Sequence, residues 1–411
     1  MMRRVLGIVF GIILSFSLQA QGTECLEGDC ENGYGVEKNN NSTYYGSFLN
    51  GKKHFWGCQV YVTDQIYCGN YSQGLKHLFG AYYFIDGDND FSMLAYDRNS
   101  KLESGFYIDA SAAENGAISM RRDALEIKPL YTPEKDGKGC VAGDCENGNG
   151  VFVYGNGQIY SGGFFDGEYN GWGCYQFFNE EKGVVDKFHC GMYLRNKSFA
   201  TGVNFVSNSD SYSFDGNEIK NTLGFKFGLI DTSNGEVKTG IHTAPIDNKE
   251  ERDKLQFKFD DSSFQSFNRS RKEASNLYEY VCLYGNCTND TSGFSAKSGF
   301  ADKEWLGKEI VGVYTYNEFD SSVNGYACTY TPEHSNLSDE TQNGIENLEC
   351  GNFINGVPMY FTTIYSRIRS KNSHLFYFGL TRGYDPQLHG ILGIKDSYTG
   401  WRLQTPKYGD N

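Results

Sequence analysis

The sequence predicts an all-β protein: an elongated meander of stacked β-hairpins, built as three homologous disulfide-stapled modules. Three observations predict it. The chain carries 50 Gly, 30 Tyr and 30 Phe but only 7 Pro, a mix that favours strands, tight turns and aromatic packing. Its 12 cysteines fall into one four-cysteine pattern written three times. Short runs alternate aromatic residues with glycine and end in Asn-Gly or Asp-Gly, the residues that accept positive φ where a hairpin turns back.

The first element is read as a secretory signal over residues 1–20. Arg3 and Arg4 precede an apolar run from Val5 to Leu18, too short to span a membrane comfortably, and a cut is expected after Ala20. Glu24 before Cys25 does not suit a lipoprotein site. Cleavage removes two of the 37 basic residues and none of the 51 acidic ones, moving the net charge from −14 to −16. Such a balance argues against nucleic acid and against an anionic membrane surface. The expected location is outside the cytoplasm: secreted, periplasmic or cell-surface.

The modules follow. The first, 21–131, holds Cys25 and Cys30 in "CLEGDC", Cys58 in "FWGC" and Cys68 in "YCGNY". The second, 140–244, holds Cys140 and Cys145 in "CVAGDC", Cys174 in "GWGC" and Cys190 in "HCGMY". The third, 281–411, holds Cys282 and Cys287 in "CLYGNC", Cys328 in "GYAC" and Cys350 in "ECGNF". The stretch 92–108 matches 210–228, with a looser version at 374–394. A short boundary lies at Thr132–Gly139, and 245–280 reads as a linker, the one segment with helical character.

Within a module the unit is a hairpin. Tyr44, Gly46 and Phe48 alternate, as do Tyr160, Gly162 and Phe164, so each set shares one strand face. The rings can then lie across the bare glycine backbone of a neighbouring strand. Asn50-Gly51, Asp166-Gly167 and Asn355-Gly356 supply the turns. One hairpin cannot bury its aromatic face alone, so a row of them must stack edge to edge. Over 44–84 and 146–195 this unit resembles the MORN repeat family, and in the third copy "CGNFINGV" (350–357) keeps the pattern best. The resemblance implies a meander of hairpins and, for function, scaffolds, lipid binders or modules attached to enzymes.

The cysteines admit three chemistries. A structural zinc site wants two close pairs, whereas the distal cysteines have 9, 15 and 21 residues between them. No redox Cys-x-x-Cys occurs. In an exported chain disulfides are the default. The favoured pairing is local: Cys58–Cys68, Cys174–Cys190 and Cys328–Cys350 across adjacent strands, and Cys25–Cys30, Cys140–Cys145 and Cys282–Cys287 round a bend at Gly28, Gly143 and Gly285. A crossed pairing, Cys30 with Cys58 and Cys25 with Cys68, stays open.

Candidate sites are few. Trp56, Trp172 and Tyr326 precede the third cysteine of each copy by two positions, either as a ladder of ligand-contacting rings or as packing beside a disulfide, the favoured alternative. "DGDND" (86–90) lacks the glycine and terminal glutamate of a calcium loop and reads as an acidic turn. The 7 histidines show no metal spacing. Neither a nucleophile elbow, nor a phosphate loop, nor a dinucleotide fingerprint occurs, so catalytic residues, cofactor and metal are all expected to be none. The expected role is a non-catalytic scaffold or binding module for protein or glycan. The runner-up is an exported hydrolase of glycans or peptides. Headgroup binding, resting on Arg121-Arg122 and Arg269–Lys272, ranks third.

Overall fold

The computed structural model describes residues 22–84, 91–96, 102–109, 117–122, 127–206, 212–214, 217–219, 224–230, 237–243, 255–258, 281–284, 294–305, 308–317, 322–331, 345–354, 357–368, 373–382, 385–396 and 400–404. The signal segment 1–20, the acidic turn 86–90, Gly285, Cys287, the basic run 269–272 and most of 245–280 lie outside the described residues. The described strands form three antiparallel sheets of nine strands each and one separate two-stranded hairpin, and strand order within each large sheet follows the chain. The first runs from Glu24–Gly28 to Ala117–Arg122, the second from Gly139–Gly143 to Leu255–Lys258, and the third from Val281–Tyr284 to Gly400–Gln404.

Two local readings need correction. Leu255–Lys258, inside the segment read as linker with helical character, is a strand paired with Val237–Thr243. Leu255 and Phe257 alternate with Gln256 and Lys258, a period of two, and the open edge offers backbone partners that a short helix would lack. The match of 92–108 to 210–228 also fails as a structural equivalence. Phe91–Tyr96 pairs with Leu75–Phe84, whereas Tyr212–Phe214 and Asn217–Ile219 form a separate hairpin and Gly224–Ile230 takes the place in the sheet. The only helix among the described residues is Pro133–Asp136, whose Lys135 N–H donates to the Thr132 Oγ1 cap at 3.2 Å.

A glycine ladder organises each sheet. Gly28, Gly35, Gly46, Gly57, Gly69 and Gly80 stand opposite one another on successive strands. Gly143, Gly150, Gly162, Gly173, Gly191, Gly202, Gly228 and Gly240 do the same in the second sheet. In the third, Gly299, Gly312, Gly351, Gly379 and Gly390 share the row with Ala327 and Thr362. The rings fill the furrow this leaves. Tyr44 lies over Gly46 and Gly57, Tyr67 over Gly69 and Gly80, and Tyr160 over Gly162 and Gly173. Each hydroxyl returns to the backbone: Tyr44 donates to Ser47 O at 3.1 Å and Tyr160 to Gly163 O at 3.0 Å. All three tyrosines are fully buried, so each contributes the stabilisation of a large buried ring, on the order of 1.5–3 kcal/mol.

Four of the hairpins carry the same irregularity. The residue two before the ladder position adopts positive φ: Phe55 at 56°, Leu78 at 60°, Gly171 at 78° and Tyr360 at 69°. The register slips at the same place. This bulge sets the next residue, Trp56, Phe79, Trp172 or Phe361, on the face opposite the tyrosines.

Candidate functional site: a buried hub and two outward aromatic rows

The strand Lys52–Tyr61 shows how the two faces divide. Trp56 and Cys58 point one way, and Gln59 and Tyr61 the other, as alternation requires. Cys58 stands opposite Cys68, Cys174 opposite Cys190 and Cys328 opposite Cys350, each pair bonded with Cα atoms 4.0 Å apart. Cys25–Cys30 and Cys140–Cys145 are bonded as well, round Gly28 at φ 71° and Gly143 at φ 73°. The register slips beside each of these, between Cys25 and Glu27 and between Cys140 and Ala142. The local pairing is therefore the one observed wherever both partners are described. Cys282 lies on the strand Val281–Tyr284, and its expected partner Cys287 is outside the described residues.

The three aromatic candidates are brought together, but not on a surface. Trp56, Trp172 and Tyr326 are only 4 to 5% exposed. Their ring centroids are 4.4 Å apart for Trp56–Trp172, 4.3 Å for Trp172–Tyr326 and 4.9 Å for Trp56–Tyr326. Residues at matching positions of the three sheets thus meet at one hub. The exposed ligand-contacting ladder does not exist at these positions; the rings pack on one another instead. Two neighbours invisible to the cysteine pattern join them. Phe361 lies 5.6 Å from Trp56 and 6.4 Å from Phe79. Their signal was the position immediately before the ladder row, readable only once the second hairpin is aligned to the first.

Polar groups stitch the seams. Trp172 Nε1 donates to Asn70 Oδ1 at 2.8 Å, linking the second sheet to the first. Leu49 and Phe55 of the first sheet form one core with Val151, Val153 and Ile159 of the second, with Tyr131 packed against it. The segment between the sheets is docked too: Val185 N–H donates to Ile127 O at 2.7 Å and Gln73 Nε2 to Tyr131 Oη at 3.4 Å. A cleft on this seam, lined in part by Asn70, Ser72, His77, Ser161 and Gln176, measures about 20 Å³, room for one water rather than a sugar or peptide.

The histidines and acids of the motifs do structural work here. His54 Nδ1 accepts from Gln73 N–H at 3.2 Å, and its Nε2 contacts Ser72 Oγ at 3.4 Å. Burial, with the neighbouring His77, lowers its pKa to about 3. Asn170 fills the same place in the second sheet and accepts from Arg195 N–H at 3.3 Å. His189 meets the Tyr193 hydroxyl, and burial lowers its pKa to about 4. Asp29 Oδ1 accepts from the Glu31 and Asn32 N–H groups, and Asp144 Oδ1 from those of Glu146 and Asn147. These carboxylates cap turns. Among the described residues no three His, Cys, Asp or Glu side chains come together as a metal site.

The outward faces carry half-buried aromatics. In the first sheet Tyr61 and Tyr82 lie with ring planes 14° apart at 6.4 Å, and Lys76 Nζ stands 4.5 Å from Tyr67 and from Tyr82. Burial lowers the Lys76 pKa to about 8. In the second, Phe152, Tyr154, Tyr175 and Phe177 form a chain of ring contacts 4.8 to 6.2 Å long, with Lys187 Nζ 3.7 Å above Phe177. Side-chain amides flank both rows: Gln65 Oε1 accepts from Tyr82 and Gln158 Oε1 from Tyr175. Compared with family models and with curated proteins, the chain matches none.

Proposed function

We propose that this chain is an exported, non-catalytic β-repeat protein of MORN-like type, a scaffold or binding module whose ligand is a protein or a glycan. The five disulfide bonds among the described residues suit an oxidising setting outside the cytoplasm. The observation that carries the binding reading is the division of aromatic residues between two faces. Those facing inward lock the sheets together. Those facing outward, Tyr61 and Tyr82 in the first sheet and Tyr154, Tyr175 and Phe177 in the second, remain partly open to solvent beside amides and a lysine. Rings of this kind supply contact area at low entropic cost, against a sugar face or a peptide alike.

Binding of the oxidised protein to an array of glycans and to surface proteins from its own source tests the proposal. Tyr61→Ala with Tyr82→Ala, or Tyr175→Ala with Phe177→Ala, should cut binding at least tenfold while the thermal midpoint of the hub is retained. Undiminished binding by both double variants would sink the outward rows as the site. Product release from a bound glycan or peptide would replace the module by the hydrolase.

A further inference from the structure

The Trp172–Asn70 hydrogen bond has a rule in it. Asn70 is the residue standing directly opposite Trp56 on the neighbouring strand. The second sheet's hub aromatic therefore donates to the residue paired with the first sheet's hub aromatic. Moved one step round the hub, the donor becomes Trp56, and the acceptor becomes Asn352, which stands directly opposite Tyr326. Both are buried, Asn352 completely. Trp56 Nε1, Asn352 Oδ1 and Asn352 Nδ2 are three polar atoms without a hydrogen-bond partner. A buried donor and a buried acceptor left apart is costly, and the terminal torsion of an asparagine turns easily. The third step has Tyr326 as donor and Met192, opposite Trp172, as the facing residue. The Tyr326 hydroxyl also has no partner, and a thioether is a weak acceptor.

We propose that the hub is a cyclic clasp in which each sheet's central aromatic hydrogen-bonds the residue paired with its neighbour's: Trp172 to Asn70, Trp56 to Asn352, and a third link between Tyr326 and position 192 left open by methionine. The relation is directional, second sheet to first, first to third, third to second. Other contacts follow the same rotation: the core shared by Phe55 and Ile159 joins the fourth strand of the first sheet to the third strand of the second, and Tyr45 meets Tyr360 across the seam of first and third sheets at 6.0 Å. The clasp gives the hub a polar code on top of its ring packing. It selects one order of the three sheets, because a sheet in the wrong place would leave an indole N–H facing no acceptor.

Indole exchange in the oxidised full chain, which has 4 Trp, tests the clasp. In the parent protein the Trp56 and Trp172 indole N–H groups should both exchange slowly with solvent. Asn352→Leu should speed exchange at Trp56 at least tenfold and leave Trp172 unchanged; Asn70→Leu should do the reverse. Unchanged exchange at Trp56 in a folded Asn352→Leu protein overturns the second link. Should that variant fail to fold, a parent Trp56 indole that exchanges as fast as a solvent-exposed one overturns it equally. The open link is tested by Met192→Asn, whose effect on the thermal midpoint should be more favourable in the parent than in a Tyr326→Phe background. Equal shifts in the two backgrounds overturn that step.

Discussion

The Tyr44 ring lies so close over Gly57 that a Cβ there would stand 2.3 Å from the tyrosine hydroxyl. Gly57→Ala should therefore destabilise the protein by about 2–4 kcal/mol, since the ring and two strands would have to move. Gly74→Ala is the comparison. Gly74 has φ 86° but nothing within 4 Å of its would-be Cβ, so the cost is backbone strain alone, about 1–2 kcal/mol. Denaturant titrations of the two variants separate the causes; equal losses would remove close approach as the reason for the ladder.

The two kinds of disulfide should differ in worth. Cys58–Cys68 is buried between paired strands, whereas Cys25–Cys30 closes an exposed bend. Replacing Cys58 and Cys68 by Ala should cost about 2–4 kcal/mol, from the loss of the crosslink and of buried contact. The same change at Cys25 and Cys30 should cost less, about 1–2 kcal/mol, because its loop is shorter. Peptide mapping without reduction should recover Cys58 with Cys68 and Cys174 with Cys190; a Cys30–Cys58 peptide would contradict the structure.

His54 makes stability fall in acid. Its pKa is lowered from 6.5 to about 3 in the folded protein, so below pH 6.5 the unfolded chain takes up a proton that the folded one refuses. Stability from this group is complete above pH 6.5, is lost progressively down to about pH 3, and falls no further below that. The loss should reach a few kcal/mol at most. His54→Asn, copying Asn170, should keep an acceptor for Gln73 N–H and make the profile shallower between pH 4 and 6, leaving the share that buried His189 contributes. Unfolding midpoints across that range check it, and a variant as acid-sensitive as the parent would acquit His54.

Asn70-Tyr71-Ser72 is a glycosylation sequon whose asparagine is 4% exposed and holds Trp172. A glycan there would wedge the first and second sheets apart. In a host that glycosylates, the folded product should carry sugar at the exposed Asn41 and none at Asn70. Glycopeptide mapping of the monomeric fraction decides, and full occupancy at Asn70 in folded protein would refute the hub.

Strand content, the hairpin unit and its Asn-Gly and Asp-Gly turns were legible from alternation and turn chemistry, both local properties of a few residues. The cysteine spacing likewise marked the pairs Cys58–Cys68, Cys174–Cys190 and Cys328–Cys350, which neighbouring strands bring side by side, and the shorter bridges that close round Gly28 and Gly143. The positions of Trp56, Trp172 and Tyr326 could be found by comparing the copies, but their burial could not. Alternation says that Trp56 and Cys58 share a face; it does not say whether that face meets water or another sheet. Nor did any local pattern single out Asn70 or Asn352, since each acquires its role from an aromatic residue more than a hundred positions away or in another sheet. Leu255–Lys258 failed for the same reason, its strand drawn out by an open sheet edge that only the folded second module supplies. Periodicity along the chain determines which residues pair, and long-range packing determines which paired faces are left for a partner.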